Sequence, residues 1–126
     1  MATQHETHLA ETYKSMITLS VEGFKFSALA NGGACVALLA YLGNVASKGA
    51  ATPDMRLPMG AFLAGLVSCG GAMLCAYVTQ LTLFREERDG TAKWRWHKCF
   101  LWLSVAFYAT SIAAFAVGAW WAVRRF

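Results

Sequence analysis

The sequence predicts an all-α integral membrane protein with three transmembrane helices, preceded by an amphipathic N-terminal helix in the membrane interface. The 126-residue chain is 57% hydrophobic, with a mean hydropathy of +0.42, which is above the usual level for soluble globular chains. The excess falls in three blocks, each long enough for a helix to cross the hydrocarbon of a bilayer. A single membrane domain, residues 1–126, accounts for the whole chain.

Residues 5–22 have the pattern of an amphipathic helix that is too polar to span. Apolar residues recur there at helical spacing, and charged and hydroxyl residues lie towards the other side. The apolar set is Leu9, Tyr13, Met16, Ile17 and Val21, and the charged set is Glu6, Glu11, Lys14 and Glu22. We expect this helix to lie under the lipid headgroups. The alternative is a contact helix for a partner subunit.

The first predicted span covers residues 24–42 and contains one side-chain amide, that of Asn31. Because an amide in hydrocarbon must find a hydrogen-bonding partner, we expect Asn31 to bond to a neighbouring helix or subunit. The alternative is that it lines a polar path. No Asp, Glu, Lys or Arg is expected well inside any of the three spans.

The second predicted span, residues 57–84, is an uncharged run between Arg56 and Arg85; Pro53 lies in the connector before it, and Pro58 suits its first turn. On a helical wheel most of its small residues fall on one half. A small-residue half lets neighbouring backbones approach closely, so this helix is expected to be the packing hub. Its candidate packing or pore-lining residues are Gly60, Ala64, Ser68, Gly71 and Cys75.

The third predicted span, residues 99–123, has small residues at every seventh position. Ser104 and Ser111 are its packing or pore-lining candidates, and Gly118 continues the stripe. Aromatic and basic residues flank the span, as is typical of the lipid interface. These interface residues are Trp94, Trp96 and Lys98 on one side and Trp120 and Trp121 on the other. Stacking of the first group on nucleic acid is the disfavoured alternative, and we expect no nucleic-acid partner.

Lysines and arginines are distributed unequally between the two sides of the predicted spans. Seven lie beside the N-terminus and the second loop, and four lie on the other side. The rule that cytoplasmic loops carry the basic residues places the N-terminus inside and the C-terminus outside. We expect a multi-pass protein of the cell (plasma) membrane, which in bacteria is the inner membrane.

Few residues have the types and spacing that chemistry requires. Cys35, Cys69, Cys75 and Cys99 show no metal-ligand spacing, and His97 lies alone near an interface. An enzyme needs a convergent acid, base and nucleophile, so we expect no enzymatic activity, catalytic residue, metal or cofactor.

Two functions remain after this exclusion. The first is a structural or accessory subunit that packs against other membrane subunits, or against copies of itself, within the lipid bilayer. The second is a homo-oligomeric pore, lined by Asn31, Ser68, Thr79 and the serines of the third span. Small three-span holins are similar in size and number of spans, and no motif carries that resemblance further. We favour the accessory subunit.

Overall fold

A computed structural model describes residues 4–89 and 96–125, and these residues form three long helices. The helices are α1, Gln4–Ser47; α2, Arg56–Asp89; and α3, Trp96–Val123. Each contains a stretch long and apolar enough to cross a membrane. The prediction of an all-α fold with three candidate spans is therefore confirmed for the described part of the chain.

The first helix differs from the arrangement that the sequence predicts. Residues 5–22 and 24–42 are not two helices, because α1 runs unbroken through both for 44 residues, or about 66 Å. Gly23 is the only residue between them, and one helical glycine costs only about 1 kcal/mol. Its position is also held by packing, since a Cβ there would lie 3.1 Å from the Tyr108 hydroxyl.

The connector between α1 and α2 ends one helix and begins the next by ordinary turn chemistry. Gly49 has a φ of 68°, a conformation that glycine adopts without a steric penalty. The amide of Arg56 donates to Asp54 Oδ1 at 3.1 Å, which satisfies a donor at the start of α2. Pro58 follows in the first turn, where a missing amide hydrogen leaves no helical bond unmade.

The helices pack as an antiparallel series in which α2 contacts both others. The α2–α3 pairing is the most extensive, and α1 packs more on α2 than on α3. The buried residues of α2 are spaced alternately by about three and four, the pattern of a coiled-coil-like seam. They are Pro58, Phe62, Gly65, Cys69, Ala72 and Thr79. The expected hub is thus the central helix of the bundle.

The distribution of side chains differs from that in a water-soluble bundle. Among the described residues five polar ones are buried, namely Ser27, Asn31, Thr79, Ser104 and Ser111. Large apolar side chains cover the outside, among them Leu29, Val36, Val67, Leu74 and Trp102. A small apolar cluster of Leu38, Met55 and Ala122 closes one end. Packing between the helices therefore depends on small residues and hydrogen bonds.

Candidate functional site

A buried polar cluster joins all three helices near the centre of the bundle. Ser27 and Asn31 of α1 meet Ser111 of α3 beside the Gly65 carbonyl of α2. Ser111 Oγ donates to that carbonyl at 2.6 Å. The Asn31 amide donates to the Ser27 carbonyl at 3.0 Å and reaches Ser111 Oγ at 3.3 Å. The cluster ties α1 to the α2–α3 pair at one level.

The direction of each hydrogen bond in this cluster follows from the donors available. A serine hydroxyl has one hydrogen, and that of Ser111 is used on the Gly65 carbonyl, which can only accept. The 2.6 Å contact between the two serine oxygens must therefore be donated by Ser27. Ser111 is the acceptor at the centre, and replacing it would leave Ser27 without its partner.

Asn31 also fits against α2 in a way that requires glycine. Its side chain occupies the space that a Cβ on Gly65 would fill, with Asn31 Cγ 2.7 Å from that position. Asn31 Oδ1 is buried and accepts no conventional hydrogen bond from the described residues. It faces the Gly65 Cα, and weak Cα–H···O contacts recur where helices approach this closely. The amide thus fixes both the distance and the level of α1 against α2.

The serine stripe of α3 lies along its contact with α2. Ser104 Oγ donates to the Ala72 carbonyl at 2.8 Å, as Ser111 does to Gly65. Both the serines and the carbonyls are seven residues apart, so these are two successive rungs of one antiparallel seam. Gly118 comes one repeat later and leaves room for the Phe62 ring, which would lie 2.8 Å from a Cβ there.

The five candidates on α2 lie beside its buried seam and not at its centre. Gly60 and Ala64 are exposed, and Ser68, Gly71 and Cys75 are half-buried. The central positions belong to their neighbours Gly65, Cys69 and Ala72. Sequence reasoning also missed the buried Phe62, which belongs to the large-residue half. A wheel defines half a circle, whereas a helix contact uses a narrower stripe.

The outward face of α1 carries an exposed ion pair. Lys25 Nζ lies 2.7 Å from Glu22 Oε1, and the two side chains are 61% and 63% exposed. At about 100° per residue, Glu22 lies opposite Asn31, which points into the bundle. The ion pair therefore faces away from α2 and α3. One contact uses one ammonium hydrogen and one carboxylate oxygen, and the described residues supply no further partner to either group.

Contacts between helices fix the level of this ion pair within the bundle. The thiol of Cys69 donates to the Phe24 carbonyl at 3.4 Å, and the Phe24 ring packs edge-on against Tyr108 at 5.7 Å. Cys69 lies near the middle of the uncharged run 57–84. Glu22 and Lys25, within two residues of Phe24, are therefore level with the middle of α2. This register bears on the prediction that no charged residue lies well inside the spans, which concerns depth in a bilayer and stays a prediction.

The N-terminal half of α1 runs beside α2, towards the C-terminal end of that helix. Tyr13 donates to Gln80 Oε1 at 2.9 Å, eleven residues along each helix from the Phe24–Cys69 contact. Hydroxyls in this half bond to their own helix, as in Thr18 to the Lys14 carbonyl. Such a bond satisfies the hydroxyl within its own helix, without a group from another helix. The Glu22 carboxylate and the Lys25 ammonium of this half pair with each other.

Four of the five predicted interface residues lie at the two ends of α3. Trp94 lies outside the described residues, and Trp96 is the first residue of the helix. Lys98 is exposed near that end. Trp120 and Trp121 are exposed near the other, where the Arg124 guanidinium lies 4.7 Å from the Trp120 ring centre. Lys98 and Trp120 are about 33 Å apart along the helix, close to the thickness of bilayer hydrocarbon.

The remaining groups able to do chemistry are dispersed. Within residues 4–89 and 96–125, no three His, Cys, Asp or Glu side chains are grouped to hold a metal ion. The four cysteines are free. His97 Nδ1 lies 3.2 Å from both carboxylate oxygens of Glu86, which joins the end of α2 to the start of α3. The features that stand out are thus the buried polar cluster and the outward face of α1.

These features define a class of protein: an all-α bundle of three helices, each long and apolar enough to span a membrane. No protein-family model matches the chain, and no curated protein or solved structure matches it.

Proposed function

We propose that this is a multi-pass membrane protein whose function is to pack against other chains in the bilayer. It acts as a non-enzymatic structural or accessory subunit of a membrane complex, with the outward face of α1 as its binding surface. The observation that carries the proposal is the exposed Glu22–Lys25 pair, level with the middle of α2.

Placement in a membrane is supported by the large apolar side chains on the outside of the bundle and the polar side chains buried inside it. Water would have to cover large exposed apolar groups such as Leu74, Val67 and Trp102, at roughly 25 cal/mol for each Å². Lipid covers them without that cost. The contacts between the helices are also typical of membrane proteins, since small residues and interhelical hydrogen bonds hold helices together in a bilayer.

Lipid alone is a poor environment for the outward face of α1. A charged side chain at the centre of a membrane helix costs about 3 kcal/mol. The mutual contact of Glu22 and Lys25 offsets part of that cost and leaves their other hydrogen-bonding positions unfilled. Polar groups of another protein chain would fill them. This is the physical reason for proposing a partner at this face.

A homo-oligomeric pore remains the second candidate, with a different lining from the one that the sequence suggests. Asn31, Ser104 and Ser111 are buried and bonded within one chain, so a pore along them would have to open the bundle. The outward face of α1 offers another lining, because Glu11, Ser15, Thr18 and Glu22 share it. In a ring of copies this face would border a polar path.

Orientation and localisation are part of the same proposal. The proposed depth of Lys25 removes one residue from the basic count on the N-terminal side, which leaves six against four. The bias keeps its direction, so the N-terminus is cytoplasmic and the C-terminus lies outside. The expected location is the cell membrane.

The experiment that tests the proposal is native mass spectrometry of the tagged protein extracted in mild detergent or directly into nanodiscs. An accessory subunit is expected to carry other membrane chains, or a second copy, in fixed stoichiometry. A ring of many identical copies would favour the pore instead. A lone chain under every extraction condition would contradict both functions.

A further inference from the structure

We propose that the chain covering the outward face of α1 is a second copy of this protein. The two copies share the same membrane orientation and are related by a two-fold axis along the membrane normal, between their α1 helices. This inference rests on the proposed function and names the partner that this face binds.

The charges of the face are complementary to themselves. Glu22 and Lys25 lie about one helical turn apart on the exposed side of one helix. A two-fold axis along the normal brings the same levels of two α1 helices together, so each Glu22 comes within reach of Lys25 from the other copy. The four charges then alternate in sign. Each ammonium and carboxylate gains a second partner, which the single chain does not provide.

Small residues continue the same face towards the C-terminal end of α1. Gly33 and Ala40 are exposed, and at about 100° per residue both lie within a narrow stripe with Glu22. A Cβ on Gly33 would meet nothing within 4 Å, so packing inside the chain does not require a glycine there. Two α1 helices meeting along this stripe could approach closely, as small residues permit in membranes.

The stripe of charged and small residues favours a second copy over a chain of another sequence. A different partner would have to supply a cation and an anion at the levels of Glu22 and Lys25. It would also have to supply small residues at the levels of Gly33 and Ala40. A second copy supplies all of these by symmetry, because residue i then meets itself or its near neighbours across the axis.

Charge reversal in trans tests the inference directly. Two differently tagged copies are co-expressed, and the amount of the second copy that co-purifies with the first is measured in mild detergent. Glu22→Lys in both copies, or Lys25→Glu in both, is expected to reduce co-purification about tenfold, since like charges then meet. Glu22→Lys in one copy with Lys25→Glu in the other is expected to restore it.

The matched control is an exposed ion pair that lies outside α1. Arg56 Nε lies 4.0 Å from Asp54 Oδ1 at the start of α2, and the two side chains are 95% and 63% exposed. Arg56→Glu reverses a charge of this pair and is expected to co-purify like the parent. Equal loss on reversal of Glu22 and of Arg56 would overturn the inference, because it would indicate a general effect of charge on insertion.

A crosslinking measurement keeps the inference testable if the charge variants fail to insert. With the four native cysteines replaced, Ala40→Cys is expected to form a disulfide-linked dimer, because Ala40 lies in the contact stripe. Leu39→Cys is exposed but lies off the stripe, so it should remain monomeric. Equal crosslinking at the two positions, or none at Ala40, would overturn the inference.

The same purification separates failure of this inference from failure of the proposed function. Parent protein that carries another membrane chain in fixed stoichiometry, without a second copy, would overturn the dimer and leave the accessory role standing. Parent protein that is a lone chain would contradict both. Restored co-purification in the mixed pair would support both.

Discussion

Asn31 of α1 packs against Gly65 of α2 beside Ser111 of α3, and each of the first two limits what the other residue can be. The Asn31 side chain is held by bonds to Ser27 and Ser111, so it cannot move away from α2 without breaking them. Any side chain on Gly65 would have to displace it. An uncharged amide at this depth thus sets the spacing of the bundle.

Replacing Gly65 by alanine is therefore expected to lower the free energy of unfolding by about 1 to 2 kcal/mol. Overpacking costs about 1–3 kcal/mol, and the better helix propensity of alanine returns up to about 1 kcal/mol. The measurement is unfolding in mixed micelles with increasing denaturing detergent.

Gly70→Ala provides the matched control, since a Cβ on Gly70 would meet nothing within 4 Å on the same helix. It is expected to leave stability unchanged or raise it by up to about 1 kcal/mol. Equal effects of the two substitutions would contradict the contact between Asn31 and Gly65.

At the scale of the helices, the existence and type of each element could be predicted from the sequence, and the limits of α1 could not. Hydropathy changes near residue 23, but hydrophobicity does not end a helix. Proline, capping or a glycine turn does so. Between His5 and Leu42 the sequence has no proline, so α1 continues through the change. The connector before α2 does contain such signals, at Gly49, Pro53 and Asp54.

The packing residues were predictable where a narrow repeat marked them. Ser104 and Ser111 are seven residues apart, and both are buried against α2. On α2 the small residues cover half of the helix circumference, so the helical wheel could not separate exposed Ala64 from buried Gly65. The level of Glu22 and Lys25 along α2 could not be predicted from the sequence. It depends on the register of α1 against α2, which Phe24 and Cys69 set through tertiary contact.

That register gives a prediction for the depth of α1 in a bilayer. In a cysteine-free background, spin labels at Phe26 of α1 and Val67 of α2 are expected to report equal depth by the ratio of oxygen to nickel-chelate accessibility. Both side chains are exposed, and their levels match through the Phe24–Cys69 contact. Labels at Thr18, Ser15 and Glu11 should be progressively shallower, by about 1.5 Å for each residue.

A helix lying in the interface would give a different profile from this one. Labels at Glu11, Ser15 and Thr18 would then share one shallow depth, and Phe26 would be much shallower than Val67. Such a result would mean that α1 divides near Gly23 in lipid, as the hydropathy pattern alone predicts.

At the scale of the whole molecule, the bundle combines a closed interior with the outward face of α1, where Glu22 and Lys25 have unfilled hydrogen-bonding positions. The α2–α3 pair is joined by serine–carbonyl rungs and by Phe62 against Gly118. The first helix adds its own polar contacts at Ser27 and Asn31 and packs less extensively. An assembly through the outward face of α1 would leave the α2–α3 seam unchanged. The molecule is therefore suited to add partners without reorganising its interior.

The orientation of the whole molecule gives the last prediction. Arg125→Cys is expected to react with a membrane-impermeant thiol reagent in intact cells, and Gln4→Cys is expected to react only after the membrane is permeabilised. The native cysteines are replaced in both variants so that exposed Cys99 does not react. The physical reason is the excess of basic residues beside the N-terminus and the second loop, which resist transfer across the membrane. Labelling of Gln4→Cys but not Arg125→Cys in intact cells would reverse the orientation. It would leave the helix contacts unaffected, because they do not depend on which side faces the cytoplasm.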